Sequence, residues 1–98
     1  ETFSGAAYAR WAKAQGRDVR YWRVGNAQHF DAFLGLPFLG ARYVPMMPYA
    51  YLALDQMWAH VAEGKSLPGD ADIATTPRAF EAGKLAPLQA GNLGAMPE

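Results

Sequence analysis

The sequence has no cysteine. That excludes disulfide cross-links, a thiol nucleophile and any cysteine-ligated zinc. Serine is nearly as scarce. Ser4 and Ser66 are the two present, and neither stands in G-x-S-x-G, the strained elbow that exposes a nucleophile after a strand. No Gly-rich phosphate loop and no H-E-x-x-H occurs. Charge of one sign is also lacking. Nine Lys and Arg balance nine Asp and Glu, which argues against nucleic acid or an anionic membrane as the main partner. No apolar run reaches the roughly 18 residues that a spanning helix needs.

What is present is apolar material. Of 98 residues, 51% are hydrophobic and 18% charged, enough for the core of one domain or of part of one. Ser4 suits an N-cap, with Phe3 and Tyr8 at the staple positions, and Gly16 suits a left-handed helix end. Between them, Ala7, Tyr8, Trp11 and Ala14 lie at helical spacing and are the expected buried face. Residues 18–24, D-V-R-Y-W-R-V, read as a strand with large side chains on both faces. Residues 30–47 are too apolar for a solvated loop and too rich in Gly and Pro for one helix, so short helical turns over a core or pocket are expected. The clearest helix starts near Pro48 and ends at Gly64. Tyr51, Leu54, Trp58 and Val61 form its apolar stripe, and Gln56, His60 and Glu63 fall opposite.

Residues 64–98 differ in character. They hold 5 of the 10 Gly, 4 of the 7 Pro and a single aromatic, Phe80, which predicts an irregular tail after a first portion spanning 1–63. A lone strand cannot satisfy its own backbone. No partner strand is visible in the sequence, so the chain is expected to be the end of a larger α/β domain.

Among residues able to carry chemistry, His29 stands out. It follows a strand, on a turn marked by Gly25 and Asn26, beside an apolar segment. A histidine so placed can be held rigidly yet reach a cleft, as a general base must. A histidine that merely caps a turn fits the same spacing. His29 and Asp31 form H-x-D, but no third ligand accompanies them, so no metal is expected. One intervening residue makes Asp31 a poor orienting acid for His29, and a cap on the following turn or helix suits it better. His60 falls on the polar stripe. Arg10, Lys13, Arg17, Arg20 and Arg23 form a basic cluster, either a solvated face or a site for an anion. Tyr49, Tyr51 and Trp58 fit a core stripe.

The stretch V-R-Y-W-R-V-G-N-A-Q-H-F-D-A-F, with A-R-Y-V-P-M-M-P-Y, A-L-D-Q-M-W-A and T-T-P-R further on, resembles the histidine region of the 3-hydroxybutyrate oligomer hydrolases. The similarity runs over roughly residues 4–80, and N-A-Q-H-F-D is its most specific part. It implies a C-terminal fragment of an α/β-hydrolase fold: helix, last strand, His loop, closing helix and irregular tail. It also implies a serine esterase that cuts short (R)-3-hydroxybutyrate oligomers to monomers. His29 would be the catalytic His of a triad ordered Ser, Asp, His, whose other members lie upstream. Phe30 and Phe33 would bind substrate. No cofactor is implied. The partners would be a small ester and the remainder of the same catalytic domain, and the location extracellular or periplasmic. Two alternatives stay open: another esterase of the tannase or feruloyl type, and a non-catalytic helical interaction module.

Overall fold

The computed structural model describes residues 5–98. The Ser4 cap and the Phe3 half of the staple lie outside the described residues. Helix α1 (Ala7–Ala14) ends as its glycine predicts. Gly16 takes φ +76°, its N–H bonds the Lys13 carbonyl at 3.0 Å, and the Arg17 N–H reaches back to Ala12 at 3.0 Å. Its buried face differs from expectation. Ala6, Ala9 and Ala12 are buried, whereas Tyr8 and Trp11 are exposed. The small alanine face lets the helix backbone lie close to the rest of the chain, and the large rings take the opposite side.

Strand β1 (Trp22–Val24) is the paired part of the predicted strand. Its neighbour is β2 (Ala71–Ile73), in the segment expected to be irregular. The two run parallel, with Trp22 opposite Ala71, Arg23 opposite Asp72 and Val24 opposite Ile73. The Ala71 N–H bonds the Tyr21 carbonyl at 3.1 Å, and the Gly25 N–H bonds the Ile73 carbonyl at 2.9 Å. Parallel strands need a long crossover, usually helical. Here α2 (Pro37–Gly40) and α3 (Met47–Glu63) lie within it. The chain order is thus helix, strand, His turn, helix, strand. A hairpin of β3 (Phe80–Glu81) and β4 (Lys84–Leu85) follows, closed by Ala82 at φ +50° and Gly83 at φ +77°. A single 3-10 turn, Ala90–Leu93, comes last.

Helix α3 matches its predicted limits. A proline sits in its first turn and Gly64 closes it at φ +71°, with Gly64 and Lys65 N–H groups bonded to His60 and Ala59 carbonyls. Its orientation does not match. Tyr49 is buried, but Tyr51, Leu54, Trp58 and Val61 are exposed, Trp58 at 73% and Val61 at 74%. Gln56 and His60 on the expected polar side are half-buried instead, while Glu63 stays exposed. Gln56 Nε2 donates to the Pro97 carbonyl at 2.7 Å, and His60 Nδ1 donates to the Lys65 carbonyl at 2.7 Å. Tyr51 and Trp58 are therefore not core residues of this chain. A stripe of that width needs a facing surface, and none of the described residues supplies one.

The core is small: Val44, Tyr49 and Ile73, with Trp22, Val24, Leu93 and Met96 against them. The Cα radius of gyration is 15.5 Å, above the about 13 Å of a compact domain this long. The Tyr49 hydroxyl donates to the Leu93 carbonyl at 2.7 Å, which ties the C-terminal segment to α3. Burial pushes the Tyr49 phenol above its ordinary pKa. The neutral phenol is thereby favoured in the fold. Its contribution is complete below the unfolded value of about 10 and is lost as pH rises through the folded one. Tyr49→Phe should cost about 0.5–1.5 kcal/mol in denaturant unfolding at neutral pH. It should also flatten the loss of stability above about pH 10 that the parent shows.

Candidate active site

The turn after β1 is fastened from two sides. Asn26 adopts φ +56°, a left-handed conformation that asparagine tolerates better than most residues. Its side-chain amide donates to the backbone and hydroxyl oxygens of Thr75, both at 3.2 Å. The Thr75 hydroxyl donates to the Gly25 carbonyl. The Asn26 carbonyl accepts from the Val44 N–H at 2.8 Å, and Ala27 forms a parallel bridge with Val44. Thr75 lies just past β2, so the turn is stitched across the carboxyl ends of both parallel strands. Open α/β sheets place their ligand crevices at that end.

His29 stands on this turn with an exposed side chain. Gln28 brackets it. The Phe30 N–H donates to Gln28 Oε1 at 2.8 Å, and Gln28 Nε2 donates to the Phe30 carbonyl. The His29 ring meets the Phe30 ring edge-on, with centroids 4.7 Å apart and planes at 90°. Phe30 in turn meets Phe33 at 5.9 Å and 70°. Both phenylalanines are more than half exposed. His29, Phe30 and Phe33 thus form one aromatic row on the surface. On its other side His29 lines an open cleft of about 410 Å³, with Gln28, Met46, Tyr21, Trp22 and Val24 among its walls. Phe30 and Phe33 do not line that cleft.

Asp31 does not orient His29. Its carboxylate accepts the Met46 N–H at 2.8 and 2.9 Å and the Met47 N–H at 2.8 Å. The residue at the α3 N-cap, Met46, has no side-chain acceptor of its own, and Asp31 fills that role from 15 residues away. A carboxylate there also complements the positive end of the helix. The loop beyond is pinned by Arg78, whose Nη2 donates to the Leu34 carbonyl at 2.7 Å. Gly40 lies beneath this contact. A Cβ there would come within 2.4 Å of the Leu34 carbonyl oxygen and 2.7 Å of Arg78 Nη2.

The basic cluster is largely neutralised within the chain. Lys13 pairs with Asp70, Arg20 with Asp18, and Arg23 with Asp72 at 3.8 Å. The Lys13 ammonium, then the Tyr21 N–H at 2.8 Å, holds the Asp70 carboxyl below the usual carboxylate range. His60 is engaged at the end of α3, away from any such chemistry. Asn26 braces the turn that it was expected to mark, and Gln28, Thr75 and Arg78 are the site-building residues that spacing alone did not reveal. Asn26 and Gln28 stand inside N-A-Q-H-F-D and Thr75 and Arg78 inside T-T-P-R, so the two motifs meet in space. Asp31→Ala should lower stability by about 1–2 kcal/mol through loss of the α3 cap, read as a lower unfolding midpoint with reduced helical ellipticity.

A family profile described as 3HB-oligomer hydrolase matches residues 2–98. Among curated proteins, a D-(-)-3-hydroxybutyrate oligomer hydrolase of Paracidovorax citrulli is 38% identical over 99 residues, covering 94% of this chain and 14% of that protein. One from Paraburkholderia xenovorans is 42% identical over 75 residues, covering 76% of this chain and 11% of its own length. One from Burkholderia thailandensis is 38% identical over 92 residues, covering 92% and 13%. The chain therefore spans about a seventh of these relatives or less. No solved structure matches it.

Proposed function

From a chain that belongs to the 3HB-oligomer hydrolase family, we infer a share in the hydrolysis of short (R)-3-hydroxybutyrate esters, with His29 as the general base. The relatives carry that activity in their names. The single observation that favours His29 is its position on a braced turn at the carboxyl ends of two parallel strands, open to a cleft. A base must keep its ring fixed while its nitrogen stays accessible, and this turn suits both demands.

The mechanism we propose is acyl transfer to a serine on another part of the catalytic domain. His29 takes the hydroxyl proton as that serine attacks the ester carbonyl. It returns the proton to the leaving hydroxyl of the departing hydroxybutyrate. Water, activated by the same ring, then releases the acyl group. A carboxylate elsewhere in the domain holds the ring's other nitrogen, since Asp31 is committed to α3. Phe30 and Phe33 offer apolar surface for the methyl-bearing chain of the substrate.

An α/β-hydrolase arrangement fits the surface of the chain. The ladder to β2 uses Tyr21 and Gly25, so by the alternation of a strand the backbone groups of Trp22 and Val24 face the other edge. Among the described residues β1 pairs with β2 alone. A further strand on that edge, and helices or sheet against Tyr8, Trp11 and the α3 stripe, would complete a layered domain. The same stripe is what a docking module would show. The parallel crossover and the His turn favour the catalytic reading over that one. Action on oligomers released from a polymer suits a location outside the cytoplasm.

The test is kinetic, in a family-length chain carrying this segment. His29→Asn should lower kcat on the hydroxybutyrate dimer by at least about 10³-fold with KM little changed. Parent-like turnover would remove His29 from the chemistry. Phe33→Ala should raise KM or shift the preferred oligomer length while kcat on the dimer stays within about threefold. Identical kinetics across oligomer lengths would remove Phe33 from substrate binding.

A further inference from the structure

Nothing among the described residues hydrogen-bonds the His29 ring, so its aim depends on the backbone that carries it. That backbone is anchored at Asn26 by Thr75 and at Asp31 by its three bonds to the α3 N-terminus. Between these anchors, Ala27 is held by its bridge to Val44. The His29 position itself is spanned by the Gln28 side chain and nothing else among the described residues. That one amide both accepts from the N–H and donates to the carbonyl of Phe30.

We propose that Gln28 is a positioning residue for His29: its side-chain amide closes a ring across the histidine and fixes the direction in which the imidazole leaves the turn. The proposal rests on His29 being the base. The amide suits the task because it offers one donor and one acceptor on a single planar group. A carboxylate could meet only the Phe30 N–H, and a thioether neither group. Gln28 also lines the cleft that His29 opens onto, so the brace lies beside the position a substrate would take. Holding Phe30 by both backbone groups also fixes the point from which its side chain leaves the turn, and its ring packs edge-on against the imidazole. Misplacing a catalytic group by about 1 Å costs on the order of 10²-fold in rate.

The experiment uses a family-length chain carrying this segment, with active sites counted by a serine-reactive phosphonate so that unfolded protein is left out. Gln28→Met keeps the length and removes both hydrogen bonds. It should lower kcat per active site by about 10–100-fold with KM within about twofold of the parent. Gln28→Glu keeps the acceptor and should recover part of that loss. Its added negative charge beside the imidazole should also raise the acidic limb of the pH–rate profile. Two results overturn the proposal while His29→Asn remains inactive: parent-like kcat in Gln28→Met, or equal losses in both variants with an unmoved pH profile. An active His29→Asn overturns the catalytic reading beneath it, and the proposal with it. Should Gln28→Met yield no titratable sites, Gln28→Glu carries the same test through its kcat and pH profile.

Discussion

Pairing of three residues in β1 with three in β2 is the constraint on which the rest of the chain depends. Because the strands run parallel, 46 residues must pass between Val24 and Ala71, and they include α2, α3 and the histidine turn. Because both strands end on the same side, Thr75 arrives beside Gly25 and Asn26 and can fasten them. Tyr49 reaches the C-terminal segment through the same core, where it packs with Ile73 of β2. Without this ladder the N-A-Q-H-F-D turn would lose its anchor at Thr75.

The turn shows how a rigid site is assembled from short pieces. Neither strand is longer than three residues, and the buried core has three large members. Rigidity comes instead from side chains bonded to backbone. Gln28, Asp31, Thr75 and Arg78 each satisfy main-chain groups of the turn or of the segment that leads on to α3, and Asn26 satisfies the Thr75 carbonyl past β2. Here polar side chains supply the backbone pairing that a longer sheet would. The outer faces of α1 and α3 are the complement of this economy. Their rings are turned away from the small core and present the kind of surface that the interior of a larger domain covers.

Some of this was legible in the sequence. Helix α3 was, because a proline opens it and a left-handed glycine closes it, and both signals are local. The end of α1 and the position of His29 on a turn after a strand were legible for the same reason. The direction in which each helix faces was not. Tyr49 points inward as its place in the expected core stripe predicts, but Ala6, Ala9 and Ala12 form the buried face of α1 while Trp11 and Trp58 point out. Amphipathic spacing identifies a stripe, but not which body of protein covers it. Strand β2 is not legible because A-D-I is three residues long, with Gly69 and Asp70 before it and Thr75, Thr76 and Pro77 soon after, too short for its alternation to stand out. Asp31 is legible as a cap, but not as the cap of α3, because that contact spans 15 residues and lies beyond any local rule.

On the catalytic reading this turn presents His29 to a serine nucleophile. A crystal structure of a family-length chain carrying the segment, with a phosphonate ester bound covalently at its reactive serine, tests that contact. The His29 imidazole nitrogen should lie within about 3.2 Å of that serine's oxygen or of the phosphonate oxygen in the leaving-group position. The turn should still be clasped by Thr75 and Asp31. A reactive serine served by another base, with His29 pointing into solvent, would contradict that reading.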